Sequence, residues 1–429
     1  MCKKVLITLL LVLPLLCACR GGSRNGGPTP LPQTRIPDLL AAVPSDALAV
    51  MCYDHCADGM ALYDSTSVLQ KLDLTPFKRA RMALALCYNG SLLPVLALDA
   101  GRADADSASA VSTLLEQAAA LKLQTDYVRP DPEARRRGFV VITPSSALLQ
   151  AVRRHLTEYT SILDAPGFRQ ALAVAGSNEF IIFRNSGADR LAPKDWMKDF
   201  FPRRDLTAFV RTAAEWTVLT AEDGGFAVHP VRGGSDSFYA NILESLPLGE
   251  SRLGAVLPDT LRLALAPPVS QPQLRESFER FQDASVRLTA YRKRLDELKK
   301  SSGKDPLKWE KELDIREVAL VHLDGGAVTL VRPARAVPDQ APAENPWRGF
   351  LPALYGTAFS LPDDSATASF GGWQIYGSEA GLRAFLEAFR SAEPALKWPG
   401  KGCRVILYEP DKTLAWDKKG LRLLWNSNQ

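Results

Sequence analysis

The chain has 429 residues, of which 46% are hydrophobic and 23% are charged, and its net charge is +4. This composition is typical of a globular protein and excludes a wholly disordered chain or a bundle of membrane helices. The densest basic run, Arg135–Arg137, is short and lies in a segment of loop-like composition. We therefore expect no nucleic-acid partner.

The first 18 residues have the three parts of a bacterial signal peptide. Lys3 and Lys4 precede an apolar run from Val5 to Leu16, which is shorter than the roughly 20 residues that span a bilayer but is typical of a signal sequence. The run ends in Leu16-Cys17-Ala18-Cys19. This segment resembles the lipobox of bacterial lipoproteins, with an aliphatic residue at position −3. An ordinary cleaved signal with chance cysteines is the alternative reading.

The lipobox resemblance implies that Cys19 becomes the lipid-bearing first residue of the mature protein. Its thiol would take a diacylglycerol and its amine an acyl chain such as palmitate, and several chains together anchor a protein stably to a membrane. Residues 19–36 are rich in Gly, Ser, Asn and Pro, which predicts a flexible tether. Arg20 follows Cys19 where Asp would resemble an inner-membrane retention signal. We therefore expect the periplasmic face of the outer membrane.

Residues 37–250, here called the first half, predict an α+β module. Asn89-Gly90 joins two strands and is a strong signal for a type I′ hairpin. A second hairpin, Trp216–Thr220 with Phe226–Pro230, would close the module. The other predicted elements are strands at Ala47–Tyr53, Arg81–Tyr88, Leu92–Asp99, Phe139–Thr143 and Glu179–Arg184, and helices at Leu62–Leu72, Ala108–Leu123 and Ser145–Leu156.

Residues 251–429, the second half, predict the same order of elements. Asp324-Gly325 is again a hairpin turn, Thr413–Asp417 with Gly420–Trp425 forms a closing hairpin, and the Pro-rich insertion 332–346 reads as a loop or extended spacer. The other predicted elements are strands at Leu261–Ala266, Val318–Leu323, Ala327–Val331, Trp373–Tyr376 and Arg404–Tyr408, and helices at Gln273–Lys300 and Glu379–Arg390.

The spacing of these elements suggests a duplication. Gly90 and Gly325 are 235 residues apart, and Gly138 and Gly372 are 234 apart. One apolar helix face in each half has the spacing i, i+3, i+4, i+7, which is typical of a helix packed on a core. We therefore predict an α+β fold of two diverged copies of a strand–helix–hairpin–helix–strand module, with mixed or antiparallel sheets. This order is compatible with ferredoxin-like packing.

Short motifs add a family resemblance. Val43-Pro44-Ser45-Asp46 and Leu257-Pro258-Asp259-Thr260 each lead into a strand, and Ser302–Pro306 precedes Glu312-Leu313-Asp314. Together these motifs resemble a family of exported bacterial proteins of unknown function, recurrent among lipoproteins, that carries such repeats. The resemblance implies location and architecture, and it supplies no activity and no catalytic residues.

The candidate chemical motifs are incomplete. His55, His155, His229 and His322 are the four histidines, and none has an acid or nucleophile at motif spacing. Cys52, Asp54, His55 and Cys56 form a compact ligand-like cluster. Zinc sites commonly use about four ligands in paired units, and a second pair is missing, so a disulfide or buried thiols compete with this reading. We expect no catalytic residue, no metal and no cofactor.

Two further segments have alternative readings. Ser301 and Lys304 spell the Ser-x-x-Lys of penicillin-binding enzymes, but the Lys-Thr-Gly strand of that chemistry is absent, and Gly303 reads better as a helix terminator. An aromatic stretch with interspersed basic residues suits either a core and linker or a binder of sugar, peptide or lipid head groups. Its residues are Trp196, Phe200, Phe201, Phe209 and Trp216, with Lys198, Arg203 and Arg204.

Four cysteines remain in the mature chain, Cys52, Cys56, Cys87 and Cys403. If the first two strands of the first half run parallel, a bond from Cys52 or Cys56 to Cys87 becomes reachable, because a disulfide needs Cα atoms within about 7 Å. We expect Cys403 to stay free and buried.

These observations favour a non-enzymatic envelope lipoprotein that binds a partner protein or ligand. The alternative is a periplasmic hydrolase of an envelope polymer that uses carboxylates the sequence does not identify. Two acidic residues in a deep cleft would favour the enzyme, and an apolar patch or a groove between the modules would favour binding.

Overall fold

A computed structural model of the chain describes residues 37–63, 67–101, 105–129, 138–158, 160–176, 179–191, 207–232, 237–257, 263–266, 271–355, 361–391, 398 and 401–425. Several predictions lie outside these residues. They concern the lipobox with Cys19, the tether 19–36, the basic run Arg135–Arg137, the Pro258-Asp259 turn and most of the aromatic stretch.

The described chain is an α+β structure. Its strands are β1 Ala49–Tyr53, β2 Met82–Tyr88, β3 Leu92–Gly101, β4 Gln124–Val128, β5 Gly138–Thr143, β6 Phe180–Arg184, β7 Trp216–Glu222, β8 Gly225–Val231, β9 Gly249–Glu250, β10 Leu263–Ala266, β11 Ile315–Leu323, β12 Gly326–Pro333, β13 Gln340–Glu344, β14 Ala366–Phe370, β15 Trp373–Gly377, β16 Lys401–Tyr408, β17 Lys412–Asp417 and β18 Gly420–Trp425.

Helices cover both faces of these strands. They are α1 Pro37–Leu40, α2 Cys56–Leu62, α3 Ala105–Ala120, α4 Ser146–Glu158, α5 Phe168–Ala175, α6 Ala188–Leu191, α7 Thr207–Ala213, α8 Ala240–Ser245, α9 Gln271–Ala284, α10 Leu288–Ser302, α11 Pro306–Leu313, α12 Phe350–Tyr355 and α13 Glu379–Ser391. Within the described residues, no helix has the length and apolar character needed to cross a membrane.

Every pair of described strands is antiparallel, so the sheet is not mixed. The hydrogen-bonded series runs β4-β5-β3-β2-β1-β6-β7-β8-β18-β17-β16-β10-β11-β12-β15-β14-β13, and β9 lies beside β10 along the same edge of β16. The two predicted closing hairpins are therefore neighbours, because β8 of the first half pairs directly with β18 of the second.

The central strands of the first half are buried on both faces. All five residues of β1 are buried, with Val50 and Cys52 in one apolar cluster and Met51 and Tyr53 in the other. Successive side chains of a strand point to opposite faces, so a strand covered on both sides is a continuous apolar run rather than an alternating one. This explains why apolar runs located β1 and β5 correctly.

Four helices of the second half are tied together by a buried polar network. Arg275 of α9 donates a hydrogen bond to the Tyr291 hydroxyl of α10, at 2.6 Å, and pairs with Glu310 of α11. The Tyr355 hydroxyl at the end of α12 donates to the same carboxylate. A buried carboxylate is costly without such partners, so these contacts fix how the helices pack.

Three predicted elements are wrong. The helix predicted at Leu62–Leu72 instead ends at Leu62, and Val68–Lys71 forms a short 3₁₀ turn. Ser67 caps this turn by accepting a hydrogen bond from the Leu69 amide at 3.3 Å. Serine side chains of this kind compete with the backbone hydrogen bonds of a helix.

The Pro-rich insertion is not a plain loop, because β13 pairs with β14 as an edge strand. Proline is tolerated in edge strands.

The third error is the single helix predicted at Gln273–Lys300, which is two helices. Val286 separates α9 from α10 in a left-handed conformation, with φ of 57°. The Val286 amide bonds the Asp283 carbonyl and the Arg287 amide bonds the Gln282 carbonyl, which is the Schellman arrangement that usually has glycine at this position. Val286 is 94% exposed, so packing does not compensate for the strain.

Replacing Val286 with glycine should therefore stabilise the protein. A left-handed conformation costs an L-residue roughly 1–2 kcal/mol, part of which glycine returns as backbone entropy. We expect Val286→Gly to raise the free energy of unfolding in urea by about 0.5–1 kcal/mol. Ala284→Gly, two residues earlier at the last position of α9, is the matched control and should lower it by up to about 1 kcal/mol. A lower free energy of unfolding for Val286→Gly would contradict the conclusion that the Val286 backbone is strained.

Candidate functional site

An apolar cavity of about 100 Å³ lies where the two halves meet. Strands of both halves form its floor, and α7 and α8 contribute the side chains that cover it. The lining residues are Phe183, Asn185, Val210, Ala213, Thr217, Leu219, Val228, Pro230, Ala240, Leu243, Val405, Leu407, Leu414, Trp416, Leu421 and Leu423.

Strand periodicity explains how these side chains come together. The lining positions within each strand are two residues apart, as in Leu414 and Trp416 of β17 and Leu421 and Leu423 of β18. Alternate residues of a strand share one face, so the two closing hairpins present one apolar surface. The β8–β18 pairing, which sets Leu423 opposite Phe226, makes that surface continuous across the junction.

The polar groups of the cavity wall are already hydrogen-bonded. Asn185 donates to the Val210 carbonyl at 2.7 Å and accepts a hydrogen bond from the Thr217 hydroxyl at 2.9 Å. Among the described residues that line the cavity, none is titratable. This lining suits a small apolar group, because it offers few polar partners to water.

A ligand that occupies this space would stabilise the protein by removing apolar surface from water. Sequence reasoning missed the site, although the apolar alternation in the closing hairpins is a signal for an apolar face.

The four described cysteines are free and buried. The parallel arrangement expected for the first two strands is wrong, because β1 and β2 are antiparallel, with Ala49 opposite Leu86 and Cys52 opposite Ala83. Cys87 is thus at the far end of β2 from Cys52 and Cys56, which removes the geometric basis for a Cys56–Cys87 disulfide. The ligand-like cluster predicted from Cys52, Asp54, His55 and Cys56 does not form, because the Cys52 and Cys56 thiols are buried in the core.

The histidines lie apart from one another. His55 is at the start of α2, with its Nδ1 atom 3.8 Å from Asp58 Oδ2. His155 contacts the Thr160 hydroxyl at 2.9 Å. His229 contacts Thr220 at 3.4 Å, and burial lowers its pKa. His322 lies in β11 opposite Leu263 of β10.

The Ser-x-x-Lys segment is the end of a helix, as the sequence suggested. Gly303 follows α10 with φ of 69°. Ser301 donates to the Leu298 carbonyl at 3.2 Å, while the Lys304 Nζ atom lies 3.8 Å from the centre of the Trp347 ring. The serine and lysine therefore make separate contacts. Ser378 caps the start of α13, since its hydroxyl accepts a hydrogen bond from the Gly381 amide at 3.1 Å.

The buried carboxylates have structural partners. Asp99 binds Arg81 at 2.7 Å. Glu317 accepts hydrogen bonds from Arg332 Nε at 3.1 Å and from the Arg252 amide at 3.0 Å, and burial raises its pKa. None of these acids lines the cavity. Comparison of the chain with family models, curated proteins and solved structures finds no match.

The cysteines provide a direct test of this arrangement. Denatured, unreduced protein carrying residues 37–429 should react with four equivalents of a thiol reagent, and native protein should react slowly. Burial raises the pKa of Cys56 to about 12, so little thiolate is present at pH 8. If only two thiols react after denaturation, the conclusion that all four cysteines are free is wrong and two of them form a disulfide.

Proposed function

We propose that this chain is a lipid-anchored envelope protein that binds a ligand rather than catalysing a reaction. The observation that carries the proposal is the apolar cavity at the junction of the halves. Its chemistry suits a small apolar group, such as the end of an acyl chain or an apolar side chain of an envelope partner. Binding would rest on removal of apolar surface from water.

The alternative is a hydrolase of an envelope polymer. Hydrolysis of a glycan needs a pair of carboxylates flanking the bond. Among the described residues, no acid lines the cavity, and the buried acids Asp99 and Glu317 are paired with arginine. These contacts favour the binding proposal.

The proposed anchor is Cys19, and the basis for this proposal is the signal peptide and lipobox described above. The membrane partner is then the bilayer that receives its acyl chains, and the proposed location is the periplasmic face of the outer membrane. Residues 1–18 would be removed, and residues 19–36 would tether the body.

We also propose that the halves are diverged copies of one module, which agrees with the suggested family of exported repeats. The first half contains seven strand pairings, in the series β4-β5-β3-β2-β1-β6-β7-β8. The second half contains the same seven in the series β14-β15-β12-β11-β10-β16-β17-β18, and β13 is an additional strand at its edge. The β8–β18 register supports this idea, because it sets Ala227 opposite Arg422, and each of these residues lies two positions beyond the glycine that follows its hairpin turn. Residues Tyr239–Leu246, however, pack in the core of the second half.

Ligand binding can be tested with benzene as the probe. At about 10–20 times its Kd, benzene should raise the free energy of unfolding by about 1–2 kcal/mol. Ala213→Leu, which puts an isobutyl group into the cavity, should remove this effect. The measurement is thermal unfolding by circular dichroism with and without benzene.

The matched control is Ala284→Leu, an alanine-to-leucine change on the exposed end of α9, and this variant should keep the wild-type response. Equal stabilisation of all three proteins would mean that benzene binds elsewhere, and no stabilisation of the wild type would count against the cavity as a binding site.

Anchoring is tested by Cys19→Ala. This variant should lose incorporated palmitate and appear in the soluble fraction, because the acyl chains supply the membrane affinity. Cys17→Ala is the control and should remain labelled and membrane-bound. Membrane retention of wild-type protein without acyl label would refute the anchor, and digestion by protease added to intact cells would refute the periplasmic location.

A further inference from the structure

Three metal-binding side chains meet at the surface where β1 ends. His55 and Asp58 lie at the start of α2, and Glu179 immediately precedes β6. One ligand atom from each of these side chains lies within 4.8 Å of the other two. This cluster is separate from the lining of the cavity, so the proposed ligand binding does not account for it.

The backbone holds the cluster in place. β1 and β6 are antiparallel neighbours with Cys52 opposite Phe180, so the next residues at this end of the pair are Tyr53 and Glu179. The amides of Asp58 and Gly59 both bond the His55 carbonyl. This first helical turn brings the i and i+3 side chains of His55 and Asp58 to the same side.

The cluster has a negative electrostatic environment. The carboxylates of Asp58 and Glu179 each contribute a ligand atom to the cluster. Two carboxylates this close repel each other, and a cation between them would replace the repulsion with attraction. The N-terminus of α2 opposes a cation, but this helix has only seven residues, and such effects are small at exposed sites.

We propose that His55, Asp58 and Glu179 bind a divalent transition-metal ion, with Zn²⁺ as the best match. One imidazole nitrogen and two carboxylate oxygens are ligands that zinc uses, whereas calcium and magnesium prefer oxygen ligands throughout. Ligand atoms about 2.1 Å from a tetrahedral ion are about 3.4 Å apart. The His55 and Asp58 side chains are 54% and 67% exposed, so they are free to make the closing movement of about 1 Å.

Three protein ligands leave one tetrahedral position open. Water or a group from a partner would occupy it, as in sites that are not purely structural. The neighbouring thiols of Cys52 and Cys56 do not supply a fourth ligand in this arrangement, because both are fully buried.

The test is calorimetric titration of ZnCl₂ into metal-stripped mature protein. His55→Ala, Asp58→Asn and Glu179→Gln should each weaken zinc binding by about tenfold or more. The matched controls are His155→Ala and Glu222→Gln, which change the same residue types elsewhere and should keep the wild-type affinity. Circular dichroism checks that each variant is folded.

Cobalt substitution reports the ligand type. Co²⁺ at the proposed site should give visible d–d bands that disappear in His55→Ala, without a thiolate charge-transfer band. Four results would overturn the proposal: no zinc binding by the wild type, equal affinity in the wild type and all three variants, a thiolate band, or tighter binding of CaCl₂ or MgCl₂ than of ZnCl₂.

Discussion

The pairing of β8 with β18 makes the strands of the two halves one continuous series, and it acts together with the packing of α8 in the core of the second half. It joins four residue pairs, from Gly225 with Leu424 to Val228 with Leu421. Without it, each half would end in an unpaired hairpin edge, which is prone to pair with other chains. The approach is close, because a Cβ atom on Gly225 would lie 2.0 Å from the Leu423 carbonyl oxygen. Glycine at this position is therefore a steric requirement of the junction.

The cavity follows from this junction. Each closing hairpin has an apolar face that its own half covers only in part, and the pairing puts the two faces side by side beneath α7 and α8. Leu219 and Leu423 pack in the cluster of the first half, and Leu407 and Trp416 in that of the second. The cavity lies between these side chains.

The buried ion pairs of the second half lie outside the described lining of the cavity. Arg275 with Glu310 holds the helical layer of the second half, and Glu317 with Arg332 holds β11 to β12. β6 connects the two regions of interest, because it begins beside Glu179 of the proposed metal site and reaches the cavity at Phe183. A metal ion bound by Glu179 and a ligand beside Phe183 would thus lie near opposite ends of one short strand.

Local signals in the sequence determined much of the secondary structure. Asn89-Gly90 and Asp324-Gly325 specify hairpins through the backbone conformations that their turns need, and Gly303 and Ser378 mark helix ends through short-range hydrogen bonds. The tertiary structure alone decided strand direction and neighbours: β1 is antiparallel to β2, and β8 meets β18. It also brought Glu179 to His55 and Asp58. Such contacts depend on the packing of distant segments, whereas turns and caps depend on a few adjacent residues, so only the latter can be read from the chain.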